Sequence, residues 1–308
     1  MADISPLKSL IAKMPELPEV ETTIKGLKSK VLLRTFVDAW SDWEKIVKKP
    51  DDFGQFKKEI KGKTIKKIWR RAKNIIFDLS DGYSLLVHQK MTGHLLYGIW
   101  NMKHKTWVPA EKGPLNDPYN RFLHLIFFLD NKKMLALSDA RKFAKVELWK
   151  TEELLNSKEF KNLGPEPLEK SFTFEKFKDI FKNKKGKTKQ IIMNPEIIAG
   201  IGNIYSSEAL WRAKIHPEKN IANLSSKELK FLYRAVKKVL KLGVKLGGES
   251  FSDYRKLDGS KGGFDAERKA YKREGQKCHH CGTKIKRLKL GGRSAFFCPN
   301  CQKLDTNG

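Results

Sequence analysis

The sequence predicts an α+β multidomain chain: an N-terminal β-sandwich entered through a helix, then a helical domain, then a small C-terminal ribbon built on four cysteines. Three observations predict it. Apolar residues follow strand-like patterns up to about Trp149 and recur at helical spacing afterwards. Gly164, Pro165 and Pro167 stand where the pattern changes. All four cysteines fall within the last 31 of 308 residues, a length that lets more than one unit bury a core.

Each element follows in order. Met1 to Lys13 form a short preface. Pro18 then suits a first helical turn, Glu19 and Glu21 suit its positive end, and Val20, Ile24 and Leu27 share one face. Thr64 to Leu79 is an Ile- and Phe-rich strand, Asp81-Gly82 a hairpin turn, and Tyr83 to Leu96 the partner strand. Asn101 to Asn120 is polar and proline-containing and is expected as a loop. Phe122 to Leu129 and Met134 to Leu137 form a hairpin around Asp130-Asn131, and Phe143 to Trp149 closes a sheet. No long helix is expected between Val31 and Trp149. After the Glu152 to Glu169 connector come helices over Phe172 to Phe181, Lys187 to Met193 and Ala199 to Trp211. A fourth opens with the capping box Ser225-Ser226-Lys227-Glu228 and carries Leu229, Leu232, Val236 and Leu240 as its stripe. Gly247 to Lys272 is glycine-rich and is expected to be a mobile loop. No internal repeat occurs.

Charge narrows the function. Lys+Arg 63 against Asp+Glu 35 gives +28 and a pI near 9.8. A field of that sign and size calls for a polyanion, nucleic acid first and an anionic membrane surface second. The longest nearly apolar run, Phe122 to Leu129, is far too short for a transmembrane helix, and no secretory signal is apparent. The cysteines read Cys278-x2-Cys281, a 16-residue gap, then Cys298-x2-Cys301. Two such knuckles match a closed tetrahedral zinc site, not the spread-out cysteines of a disulfide scaffold. His279 and His280 lie inside the first knuckle, but four thiolates already complete a site. A reducing, cytoplasmic and nucleoid-associated location is expected.

Two short motifs carry chemistry. Gly200-Ile201-Gly202 lacks the third glycine of a dinucleotide fingerprint and follows no strand; its exposed amides and Asn203 instead suit a phosphate, or an ordinary tight helix–helix turn. Met14-Pro15-Glu16 is the other. If the chain starts at Met14, removal of that methionine leaves Pro15 with a free secondary amine. Near pH 7.5 roughly a third of an α-amine is neutral, against about one lysine in a thousand. Such an amine can attack an anomeric carbon and form an iminium, an electron sink that permits phosphate elimination. Glu16 could protonate a sugar oxygen, or could only complement the helix dipole.

These segments resemble the formamidopyrimidine-DNA glycosylase family, bacterial base-excision enzymes for oxidised purines. The resemblance runs from Met14 to Lys303. It rests on Pro15-Glu16-Leu17-Pro18-Glu19-Val20-Glu21, on Leu163 to Leu168, on Asn194 to Glu208 as a helix–two-turn–helix, and on the cysteine spacing. Leu17 favours this branch over the endonuclease VIII-like one. The resemblance implies a bifunctional DNA glycosylase and AP lyase that removes 8-oxoguanine and formamidopyrimidines from duplex DNA by a proline Schiff base and β,δ-elimination. Pro15 would be the nucleophile, Glu16 the general acid, Glu19 its support. Lys73 and Arg293 would handle phosphates during elimination. Asn203 and Lys189 would contact DNA, and Met91, Arg141 and Phe143 would fill the gap left by the flipped base, a flip that costs a few kcal/mol. By residue type alone, Lys73 reads as a surface lysine and Met91 and Phe143 as sandwich core. Gly247 to Phe264 would cap the damaged base. One structural Zn2+ held by Cys278, Cys281, Cys298 and Cys301 is implied, with double-stranded damaged DNA as partner, no small-molecule cofactor and a monomer.

The chain departs from the family at Lys142 and Ala144, where Arg and Gly are usual, and at His88-Gln89-Lys90-Met91-Thr92, where His-Leu-Gly-Met-Ser is usual. A DNA-contacting histidine just before His124 is also replaced, with Phe122 nearby. An internal Pro15 is a tertiary amide and cannot form a Schiff base, so residues 1–13 are expected to be an extension absent from the mature protein. The expected domains are 14–150, a linker at 151–170, 171–265 and 266–308. Other functions remain open at this point: an inactive protein that binds damaged or abasic DNA, an endonuclease VIII-like glycosylase for oxidised pyrimidines, or an RNA- or membrane-surface protein with a structural zinc.

Overall fold

Helix α1 (Leu17–Lys30) forms where the chain offers an acidic first turn: Glu19 reaches back to take the Glu16 N–H at 2.8 Å. The computed structural model describes residues 14–250 and 253–304, so the expected 1–13 extension lies outside the described residues. Helix α1 is a wedge between two cores. Val20, Ile24 and Leu27 pack into the sandwich, while Leu17 belongs to the core of the helical half.

The sandwich packs two sheets. Strands β1 (Phe36–Ser41), β9 (Leu123–Leu129), β10 (Met134–Ser138) and β6 (His94–Gly98) form one, in that order. Strands β2 (Val47–Lys49), β11 (Lys145–Lys150), β5 (Tyr83–His88), β4 (Asn74–Leu79) and β3 (Ile65–Arg71) form the other, antiparallel except for the β2–β11 pair. Phe36, Ile68, Phe77, Leu85, Leu125, Phe127 and Val146 meet between them.

Three expectations need correction. The stretch Thr64 to Leu79 is itself the β3–β4 hairpin, turning at Ala72 with φ +52°. Alanine advertises no turn, and its left-handed geometry costs roughly 1–2 kcal/mol. Partly buried Glu166 compensates by accepting the Ala72 N–H at 2.6 Å. Second, β5 and β6 lie in different sheets. The chain crosses between them over Lys90, itself left-handed, and Gly93, where a Cβ would stand 2.4 Å from the Gln89 carbonyl. Third, Asn101 to Asn120 contains the β7 (Trp100–Lys103) and β8 (Thr106–Pro109) hairpin. One short helix, α2 (Phe53–Ile60), also lies among the strands; Asp52 caps it and Phe56 and Ile60 bury its apolar face.

Helices α3 (Thr151–Asn156) and α4 (Lys158–Lys161) lead to α5 (Phe174–Phe181), α6 (Thr188–Met193), α7 (Asn203–Ala213) and α8 (Ser226–Lys245). The capping box of α8 forms: Ser225 takes the Glu228 N–H at 3.2 Å, and Glu228 takes the Ser225 N–H at 2.8 Å. Helix α7 starts later than expected, because left-handed Gly200 and extended Gly202 break the backbone before it. Strands β12 (Lys286–Leu290) and β13 (Arg293–Phe297) form the ribbon hairpin. The helical core runs on into Phe264, Tyr271, Ile285 and Phe296, so one core serves both sides of the expected 265/266 boundary. Of the Gly247 to Lys272 segment, residues 251 and 252 lie outside the described residues. The rest is packed down, with Glu249, Tyr254, Arg255, Leu257 and Phe264 all buried. Among the described residues no helix is long and apolar enough to cross a membrane.

Candidate active site and zinc ribbon

The N-termini of α1 and α7 meet head to head, and one carboxyl group joins them. Glu16 is buried and accepts from Gly202 N at 2.8 Å, Ile204 N at 2.8 Å and Tyr205 N at 3.3 Å. It therefore satisfies the orphan amides at the start of α7. Glycine is required at 202, where a Cβ would lie 2.4 Å from the Glu16 carboxyl carbon. Burial pushes the Glu16 carboxyl above the usual range, against the pull of Lys73 and the three amides. Glu19 accepts from Tyr205 Oη at 2.6 Å, Glu249 N at 2.8 Å and Glu16 N at 2.8 Å. Burial and then the nearby Glu16 charge push it up to about 8 in spite of those donors. Two carboxyl groups held this way can keep a proton near neutral pH.

A cavity of about 470 Å³ opens beside Glu16 and is lined by Lys73, Met91, Asn203, Tyr271 and Arg293. Pro15 is buried between Met14 and Glu16, both of which line it. The fold thus gathers Glu16, with Pro15 before it, Lys73, Asn203 and Arg293 from the entry to α1, the β3–β4 turn, the start of α7 and the start of β13. Burial, then Arg293, lowers the half-buried Lys73 ammonium below the usual lysine range, and Glu16 opposes them. An adjoining groove of about 540 Å³ adds Lys90, Lys145 and Lys158 to Lys73 and Arg293. His88 also lines it; burial and neighbouring lysines, Lys90 first, bring its pKa down to about 3, so it stays neutral. Asn203 Oδ1 is buried without a hydrogen-bond partner, which leaves that oxygen available to a ligand in the cavity, while the same side chain bonds the Tyr271 hydroxyl.

Met91 lines the cavity, and Phe143 is 49% exposed with the Arg141 guanidinium 4.6 Å from its ring centroid. Neither Met91 nor Phe143 is sandwich core. Their two turns are tied together by Asp139, fully buried, which binds Thr92 Oγ1, Arg141 N at 3.2 Å and Ala144 N at 2.7 Å. Lys189 lines a small cavity with Asn194 and Arg293 but lies mostly inside: it is 1% exposed, and its Nζ donates to Asn203 O, Ser206 Oγ and Ser207 Oγ at 3.2, 3.0 and 2.6 Å. Burial brings it down to about 7. It braces the first turn of α7 from inside.

Sequence reasoning missed three supports. Glu166, in the linker, binds Arg70, Arg71 and Ala72 N and so clamps the turn that carries Lys73. Glu208 receives Lys269, Ala270 and Tyr271 N–H groups at 2.8–3.0 Å and aims Tyr271 at the cavity. Asp139 is the third. Each is an acid in a chain of mostly basic surface, which was the available signal.

The four cysteine Sγ atoms lie within 4.8 Å of one another. Tetrahedral zinc at about 2.3 Å from each sulfur needs separations of roughly 3.8 Å, so the set fits that ion. Trp211 Nε1 and His280 N each lie 3.4 Å from Cys278 Sγ, donors that suit a metal thiolate. His280 is no ligand; its ring stacks on Trp211 at 4.0 Å.

Residues 14–146 match the formamidopyrimidine-DNA glycosylase N-terminal domain, 163–255 that family's H2TH domain, and 275–304 the zinc finger found in FPG and IleRS. The chain belongs to the formamidopyrimidine-DNA glycosylase family. The formamidopyrimidine-DNA glycosylase of Desulforamulus reducens is 36% identical over 293 residues, covering 94% of this chain and 99% of that protein. The Pelotomaculum thermopropionicum protein of the same name is 37% identical over 291 residues, covering 94% and 100%. Among solved structures, a mutant Lactococcus lactis FPG with Fapy-dG-containing DNA superposes with TM-score 0.82 at 33% identity, covering 94% of this chain and 100% of that one. Lactococcus lactis Fpg with abasic-site DNA gives 0.81 at 33%, with the same coverage. Family membership carries the three-part architecture and one structural zinc ion in the ribbon.

Proposed function

We propose that this chain is a base-excision DNA glycosylase with AP-lyase activity, acting on oxidised purines in duplex DNA. One observation carries the proposal: Glu16, Lys73, Asn203 and Arg293 line one cavity at the edge of a cationic groove, and Pro15 stands between the lining residues Met14 and Glu16. The groove takes the phosphate backbone, and the cavity takes the sugar of an extruded nucleotide. The Pro15 nitrogen attacks C1′, and the damaged base leaves with the bonding pair and a proton. Glu16 protonates the sugar ring oxygen as the C1′–O4′ bond breaks, which leaves an iminium on Pro15. Loss of a C2′ proton expels the 3′ phosphate, and a second elimination expels the 5′ phosphate. Lys73 and Arg293 hold those phosphates. Met91, Arg141 and Phe143 fill the vacated stack. The zinc keeps the Arg293 hairpin in place and takes no part in bond making.

This chemistry needs a free Pro15 amine, so the active form begins at Pro15; the N-terminal family match begins at Met14. The active form is a cytoplasmic, nucleoid-associated monomer. Duplexes carrying 8-oxoguanine opposite cytosine, thymine glycol or a preformed abasic site test the proposal. Faster strand cleavage at 8-oxoguanine than at thymine glycol is expected. The reverse order moves the assignment to the oxidised-pyrimidine branch, and binding without cleavage on any of the three removes the enzyme.

A further inference from the structure

The segment that leaves α8 returns to the sandwich and is fastened there by a buried ion pair. Arg255 is 1% exposed, and its Nη2 stands 3.0 Å from Asp117 Oδ1. Its guanidinium lies 4.6 Å from the Tyr119 ring centroid, and its Nη1 donates to Tyr254 O at 2.9 Å. Around this pair the backbones are joined as well. Tyr97 N donates to Leu257 O at 2.8 Å, and Asn120 Nδ2 to Gly259 O at 3.1 Å. His94 Nε2, at 2.9 Å, holds the Asn120 amide in that orientation. Gly259 is left-handed at φ +84°, and a Cβ there would come within 2.8 Å of Asn120 and Leu115. A fork-shaped cation placed this deep costs several kcal/mol of desolvation, so the seat is built for it.

The other side of the fastened segment faces the catalytic carboxyl groups. Tyr254 Oη donates to Glu19 O at 3.1 Å and lies 3.5 Å from Thr23 Oγ1. Glu249 N donates to Glu19 Oε1 at 2.8 Å, and Gly248 leaves room for Glu19, since a Cβ there would lie 2.9 Å from its side chain. Asp117, Arg255, Tyr254, Glu19 and Glu16 therefore form one chain of contacts from the sandwich surface to the cavity.

We infer that Arg255 is a positioning residue for base excision: seated on Asp117 and Tyr119, it fixes Tyr254 and, through it, the α1 turn that sets Glu19 and Glu16. The inference rests on the proposed glycosylase function. It separates two steps of that function. Removal of the base from an intact lesion needs the Glu16–Glu19 pair. Cleavage at a preformed abasic site starts from an aldehyde, needs no departure of a base, and uses the Pro15 amine and the phosphate-holding Lys73 and Arg293; the contacts of Arg255 and Tyr254 lead instead to Glu19.

The test uses full-length protein expressed from Met14, under single-turnover conditions, on 8-oxoguanine and abasic duplexes. Arg255→Lys keeps the charge and loses the fork. It is expected to slow excision about 10- to 100-fold, the usual penalty for a small misplacement of reacting groups, with abasic cleavage unchanged. Tyr254→Phe removes only the hydroxyl on Glu19 O and should shift the same ratio, which covers the case in which Arg255→Lys does not fold. A parallel loss of both activities makes the ion pair structural glue and overturns the inference, as does unchanged excision in folded Arg255→Lys. If the parent protein cleaves neither duplex, the glycosylase function itself falls, and the inference with it.

Discussion

Glu166→Ala should destabilise the chain and weaken strand cleavage together, because one carboxyl group holds the turn that presents Lys73. Glu166 has 11% side-chain exposure and Arg70 has 5%. The carboxylate binds Arg70 Nη1, Arg71 Nη1 at 3.2 Å and Ala72 N at 2.6 Å. Breaking a buried pair by removing one partner costs about 3–5 kcal/mol when the other is stranded. Neither arginine is stranded here. Arg70 keeps Glu21 at 2.9 Å, and Arg71 keeps Gly164 O and Leu163 O at 2.8 and 2.6 Å. The pair loss therefore falls below that range, at about 1.5 kcal/mol, the worth of a charged hydrogen bond, and the freed N–H of left-handed Ala72 adds about as much again, for a total of about 3 kcal/mol. Glu166→Gln retains an acceptor for Ala72 and loses only the charge match, about 1.5–3 kcal/mol. Urea denaturation followed by tryptophan fluorescence measures both, and Trp69 on the adjoining strand reports the turn. A loss below about 0.5 kcal/mol for Glu166→Ala, the range of a bland surface change, would refute the clamp. Unaltered cleavage in a destabilised variant would refute its link to Lys73.

Other outcomes follow from single buried groups. Gln89 is 1% exposed and both its amide atoms lack partners, so Gln89→Leu should raise stability by about 1–3 kcal/mol; a loss of stability would mean the amide is satisfied. Cys298→Ser should lose zinc, measured by metal analysis, and weaken duplex binding through the Arg293 hairpin; full zinc occupancy in that variant contradicts the four-cysteine site. Lys189 titrates near 7 in the folded state, so its burial penalises folding fully below that pH, and the penalty is relieved as pH rises toward the free-lysine value of about 10.4. The stability difference between Lys189→Met and the parent should therefore move in the parent's favour from pH 7 to 10, and a flat difference would sink the buried-amine account.

Much of this molecule was legible before its structure. The cysteine spacing, the Ser225 capping box and the Pro15 to Glu21 segment are local signals, and each lies where local chemistry puts it. The failures share a physical cause. Ala72 turns the chain only because Glu166, from the distant linker, pins its amide. Lys189 looks like a groove lysine, yet hydroxyls 17 and 18 residues later draw its ammonium inside. Met91 and Phe143 read as core by residue type, and the Asp139 knot turns them outward. Glu16 illustrates both sides: its place beside Pro15 marks it for chemistry, but nothing local shows that it also caps α7. Interactions between segments far apart in sequence override what each segment signals alone.

Borohydride trapping on an 8-oxoguanine:cytosine duplex, with protein expressed from Met14, captures the proline iminium itself. A covalent adduct that peptide mass spectrometry places on Pro15 is the predicted result. An adduct on Lys73 or another lysine would contradict the proline iminium and move the lyase chemistry to that amine; no adduct on either that duplex or an abasic one would contradict it and leave a protein that binds damaged DNA without cutting it.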